Sequence, residues 1–265
     1  MSPNLDLLWD PLFRVPFFTG LILAALLPVL GMYLRLRDEW LASLAFAQMA
    51  SAGTLLAMVL EWPLLGGGLV AAVVAALLKG VLARAGSTAY ALMMLLGWSA
   101  GILLVANHPM AEQAGHALFD GQLYFTDLEH LLAAAGAALL ILPSLAVLSR
   151  SLLLSRFFPE FYRARGQNER PRLILFDVLA ALAVALATVS LGVMAAFTLV
   201  FIPPLVAARC ASSWRQGLWV AILAGILGHT VAFGVSLVWD QPYGPICAMV
   251  MLSLAMPFGM FANRI

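Results

Sequence analysis

From Pro16 onward the chain is a succession of apolar runs close to 20 residues long, separated by short polar or proline-marked breaks. A bilayer core about 30 Å thick takes about 20 residues of helix, and backbone groups surrounded by lipid must find their hydrogen bonds within the protein. Only a helical bundle meets both conditions with runs of this length. Composition agrees, with 63% apolar and 10% charged residues against about 45–50% and 25% in soluble domains. The fold class expected is therefore all-α, a polytopic membrane helical bundle.

Single spans are expected at 16–34, 40–60, 62–82, 86–106, 131–148, 217–239 and 243–262. Val178 to Ala208 is charge-free and too long for one upright helix. Arg170 and Arg172 precede it and Arg209 and Arg215 follow it, and basic flanks on the same side demand an even number of crossings. The region reads as a hairpin with its tip at Ser190–Gly192 and a second arm broken at Pro203 and Pro204. Seven spans and two arms give about nine, or eight plus one broken or hairpin arm.

The charges sort onto two sides. Arg35, Arg37, Lys79, Arg84, Arg209, Arg215 and Arg264 fall on one, while Asp6, Asp10, Glu61, Glu112, Asp120, Asp127, Glu129 and Asp240 fall on the other, joined by Arg14. Positive residues collect on the cytoplasmic side, which predicts an external N-terminus and a cytoplasmic C-terminus. The first run follows acids rather than a basic n-region, so it is expected to remain as a span. Fourteen basic against thirteen acidic residues leave no footprint for nucleic acid.

The chemistry inside the spans is sparse. Asp177 sits one turn inside a cytoplasmic helix end, and Lys79 lies near enough to an end to snorkel. His229 is the one ionisable group well inside a span; it reads either as a packing and hydrogen-bonding residue or as a ligand or gating group. In the second span Leu44, Gln48, Ser51 and Leu55 share one helical face while alanines and Gly53 offer small surface for close packing. Gln48 then either bonds a neighbouring backbone or lines a translocation path. The twelve methionines are scattered, as core packing would have them, and Cys210 and Cys247 have no metal or disulfide spacing. No HExxH or GxxxxGK[ST] motif occurs, so an ATP-driven activity would need its ATPase on another chain.

Ser149–Arg172, SRSLLLSRFFPEFYRARGQNERPR, is the longest polar run and carries six of the fourteen basic residues. Set between apolar spans, it is expected as a cytoplasmic loop.

Several segments together resemble the integral membrane permeases of bacterial ABC importers for zinc, manganese and iron. They are LRLRDEWLASLAFAQMASAG, LFDGQLYFTDLEHL, FPEFYRARG, LGVMAAFTLVFIPPLVAARCA and WDQPYGP, and the likeness runs from about Gly20 onward. The resemblance implies a single permease domain over residues 1–265, a homodimer in the bacterial inner membrane, a cytoplasmic ATPase dimer holding ATP and Mg, an external solute-binding protein, and no cofactor in this chain. It implies that 149–172 is the coupling element, with Pro159, Glu160, Phe161 and Gly166 at the ATPase contact; a helix lying on the lipid surface is the other reading. It also exposes a departure. Where the family presents Asp-x-x-x-His in the second span, this chain has Leu44 and Gln48, which supply no charged ligand. Either the ion crosses using other groups, His229 being the candidate, or the cargo is a chelate that the path does not ligate. A stand-alone secondary carrier remains the alternative and lacks the intramembrane acids such carriers use.

Overall fold

The computed structural model describes residues 11–82, 86–109, 111, 112, 115, 118, 121, 123–158, 160, 168 and 170–258. Among them nine α-helices follow one another: α1 (Arg14–Leu36), α2 (Leu41–Val59), α3 (Leu64–Val81), α4 (Ser87–Asn107), α5 (Leu128–Phe157), α6 (Arg170–Leu191), α7 (Val193–Cys210), α8 (Trp214–Trp239) and α9 (Tyr243–Ala255). The first eight are long and apolar enough to cross a bilayer. The short member is α9, whose 13 residues span about 20 Å at 1.5 Å per residue; the remainder of its expected run to residue 262 passes beyond the described residues.

The hairpin is present, and its tip is a single residue. Gly192 connects α6 to α7 at φ 90°, a conformation open chiefly to glycine. A Cβ there would lie 2.7 Å from the Cα of Gly121, so a loop packs directly on the turn. The short connections at Asp38, Glu61 and Asp240 instead place an acidic residue at φ 50–57°.

Two expectations are corrected. The second hairpin arm is not broken: Pro203 and Pro204 lie inside a continuous α7. Each proline removes the donor for the carbonyl four residues earlier, and the one freed by Pro204 belongs to Val200. Gly31 of α1 closes on it so tightly that a Cβ at Gly31 would stand 2.0 Å from Val200 O. The same device recurs at Pro28, which frees the Ala24 carbonyl of α1; Gly225 of α8 presses on it, and a Cβ there would stand 2.3 Å away. Close backbone approach with Cα–H···O contact replaces part of the lost bond and keeps both helices regular in lipid. Second, Ser149–Phe157 is not loop. α5 runs for 30 residues, about 45 Å, and so extends well past a 30 Å core into the polar run.

α2 packs against α3, α4 and α6, while α1 packs against α7, α8, α5 and α6. In α2 and α6, 72% of the spanning window is buried, against 28% in α3 and α4 and 22% in α5. The latter three turn Leu77, Leu95, Trp98, Leu139 and Val147 outward, as lipid-facing helices do. Because lipid is as apolar as the helices, association relies on close fit, and α2 shows why its small residues matter. Gly53 of α2 and Gly67 of α3 approach reciprocally, so that a Cβ on Gly53 would stand 2.6 Å from the Gly67 carbonyl oxygen and one on Gly67 2.5 Å from that of Gly53, and Gly97 of α4 rests on the Gln48 backbone.

Candidate functional site

The face expected on α2 lies inside this packing. Leu44 is half-buried against the core, Gln48 is 5% exposed and Ser51 2%. The Gln48 side-chain oxygen Oε1 is buried without a hydrogen-bond partner among the described residues. An unpartnered buried amide oxygen costs about 1–3 kcal/mol, so Gln48 occupies a position that packing alone would give to an apolar side chain.

His229 stands elsewhere. It is fully buried on α8, and the partners that hold it lie on α1 and α9. Its Nε2 donates to the Phe17 carbonyl at 3.2 Å, which leaves Nδ1 to accept from the Tyr243 hydroxyl at 2.7 Å. That pairing assigns the neutral Nε2–H tautomer. Gly20 gives the ring its room, since a Cβ there would meet Cε1 at 2.2 Å. Both ring nitrogens are thus engaged by the protein. Among the described residues, no three His, Cys, Asp or Glu side chains come together in a way that could hold a metal ion.

Of the residues expected at the ATPase contact, Pro159, Phe161 and Gly166 lie outside the described residues, and Glu160 is exposed and helical. Approaching them, α5 ends in Phe157 and Phe158, each 63% exposed. They border a groove on the projecting end of α5 together with Ser149, Arg150, Leu153 and Leu154.

At this same end the structure assembles a charge network that the sequence reading did not foresee. Asp177 Oδ1 of α6 accepts from Lys79 Nζ of α3 at 2.6 Å and from Arg37 at 2.9 Å. Glu39 Oε2 accepts from the same two cations, at 2.9 Å from Lys79 and 2.7 Å from Arg37. Two cations and two anions balance, and the side chains of Asp177 and Lys79 are only 4% and 7% exposed. Arg37 also lies over the Phe176 ring at 5.1 Å and Lys79 over Tyr90 at 5.7 Å. Lys79 therefore does not snorkel to water; it is pinned. The sequence did carry a signal, because buried charges occur paired and Lys79 and Asp177 are opposite charges near span ends on the same side.

These features define a multi-pass membrane protein built around the densely packed inner helices α2 and α6, with a long helical projection at its basic end. The model of the ABC 3 transport family matches residues 10–262, and the chain belongs to that family. It is a membrane-spanning subunit of an ABC transport system. The fold is similar to that of PsaBC from Streptococcus pneumoniae, solved in complex with Fab, at a TM-score of 0.83 and 17% identity, covering 98% of this chain and 95% of that one. It is also similar to a structure described as an inward-facing conformation of a metal-chelate type ABC transporter, at a TM-score of 0.69 and 18% identity, covering 91% and 82%. No curated protein matches the chain.

Proposed function

We propose that this chain is the permease of an ATP-driven importer in a bacterial inner membrane, working as a homodimer with two ATPase subunits inside and a solute-binding protein outside. Its cargo is a divalent transition metal, zinc, manganese or iron, or a chelate of one. Membership of the ABC 3 transport family across nearly the whole chain carries the transport assignment. The basic end of the bundle, with its projecting α5, is the cytoplasmic end by the positive-inside rule, which leaves the N-terminus outside and the C-terminus inside.

Within this reading the α2 face favours a cargo that the path does not ligate. Leu44, Gln48 and Ser51 offer an aliphatic side chain, an amide and a hydroxyl. None supplies the charge or imidazole nitrogen that binds borderline divalent ions, and both nitrogens of His229 are already engaged. A chelate brings its own ligands and needs only size and polarity from the wall. The test is elemental and small-molecule analysis of what co-purifies with the cognate binding protein, followed by ATPase assay of the assembled complex with that loaded protein. A bare ion in the binding protein would exclude the chelate; no stimulation of hydrolysis would remove the importer assignment.

A further inference from the structure

Three consecutive residues between α1 and α2 reach three different helices. Arg37 binds Asp177 of α6 at 2.9 Å, Asp38 pairs with Arg156 of α5, and Glu39 binds Lys79 of α3 at 2.9 Å. Two of these helices, α5 and α6, are the ones that lead into and out of residues 158–169. A second tie holds α5 one turn back along α1, where the Tyr33 hydroxyl donates to Ser149 Oγ at 2.8 Å. Ser149 and Arg156 are seven residues apart and so share a face of α5, and both grip the end of α1. After residue 169, Arg170 opens α6 and Asp177 follows two turns later.

The turn itself is stiff. Glu39 N donates to the Leu34 carbonyl at 2.9 Å and Asp38 N to the Arg35 carbonyl at 3.0 Å. Asp38 takes φ 57°, a conformation that a non-glycine residue holds only when its surroundings fix it. α2 begins at Leu41, directly after this turn, and at 1.5 Å per residue Leu44 and Gln48 lie about 8 and 14 Å along the helix from Glu39. A displacement of α5 or α6 at this end is thus delivered to the N-terminus of α2 through ionic contacts on one short rigid element.

We propose that the Arg37–Glu39 turn is the relay by which movement of the adjoining ends of α5 and α6 repositions α2, with Asp38–Arg156 and Arg37–Asp177 as its two input contacts. The inference rests on the importer reading above. The Asp38–Arg156 pair is the one to perturb, because its side chains are 73% and 49% exposed and exposed pairs contribute little to stability. Its removal tests transmission without testing folding.

The experiment uses the assembled permease, ATPase and binding protein in proteoliposomes. The permease carries Cys210→Ser to remove an exposed thiol and Leu44→Cys as the reporter on α2. The rate of labelling of that cysteine by a small methanethiosulfonate is compared in the resting complex and in the vanadate-trapped complex. The relay predicts that Asp38→Asn and Arg156→Gln each reduce the trapping-dependent change at least fivefold, and that the reversed pair, Asp38→Arg with Arg156→Asp, restores most of it. A full change in both single variants overturns the relay, as does a reversed pair no better than either single one. Lack of binding-protein-stimulated hydrolysis in the complex built with the unsubstituted permease overturns the importer reading, and the relay with it.

Discussion

Lys79→Met is the sharpest test of the buried charge network. Lysine and methionine have similar length, so the substitution removes an ammonium and little volume. Asp177 loses its 2.6 Å partner and Glu39 its 2.9 Å partner, leaving Arg37 alone against two carboxylates. One negative charge is then uncompensated beside an aspartate whose side chain is 4% exposed. Breaking a buried pair from one side costs about 3–5 kcal/mol. In a chain of this size each kcal/mol moves the midpoint by about 2–4 °C, so heating the purified protein in detergent and following its monodisperse fraction should show a loss of about 6–20 °C. The companion is Lys79→Met with Asp177→Leu, which leaves Arg37 and Glu39 as a neutral pair at 2.7 Å. It should recover at least half of the loss, since replacing both partners by apolar groups is close to neutral. A single variant within 2 °C of the parent would mean that solvent reaches the cluster. A double variant as unstable as the sum of its two singles would refute pairing as the source of the stability.

Gln48→Leu removes a buried oxygen that lacks a partner among the described residues and should raise the same midpoint while lowering uptake of the co-purified cargo; unchanged uptake at equal membrane abundance would take Gln48 off the path. His229→Gln breaks contacts to Phe17 and Tyr243 and should cost about 1–3 kcal/mol yet leave transport per folded molecule intact, whereas a transport defect without loss of stability would make His229 functional. Gly31→Ala drives a methyl to 2.0 Å from the Val200 carbonyl and should cost about 1–3 kcal/mol or more; Gly136→Ala, with nothing within 4 Å, should instead stabilise α5 by about 0.5–1 kcal/mol. Asp127 caps α5, and hydrogen bonds from the His130 side chain and backbone hold its carboxyl below the usual range. Its contribution is present above the unfolded carboxylate pKa and disappears as pH falls through the lower folded value, so Asp127→Asn should lower stability at neutral pH, leave it little changed in strong acid, and thereby flatten the acid limb of a stability profile. Glu160→Arg should leave the permease inserted but abolish binding-protein-stimulated ATP hydrolysis; near-normal stimulation would remove Glu160 from the ATPase contact.

What the sequence settled by itself was whatever depends on local length and local chemistry. Runs near 20 apolar residues have one solution in lipid, so the helices from Leu41–Val59 to Trp214–Trp239 could be expected within a few residues for most spans. The turn at Gly192 followed from the basic flanks, because the parity of crossings is a property of order along the chain. The α2 face could be drawn in advance for the same reason, since a helix fixes which residues share a side. Proline was misread because its local effect is to break a helix, and the compensation at Val200 comes from Gly31, some 170 positions away in the chain. Lys79 was misread because snorkelling is decided by what lies within 4 Å, and its partners come from α6 and from the turn before α2. Gln48 offered an amide in a helix, and only the packed bundle decided that its oxygen would be buried with no partner among the described residues. Periodicity and charge order act through neighbours in sequence, whereas carbonyl cover, ion pairing and burial depend on which helices meet, and that was decided by the tertiary structure alone.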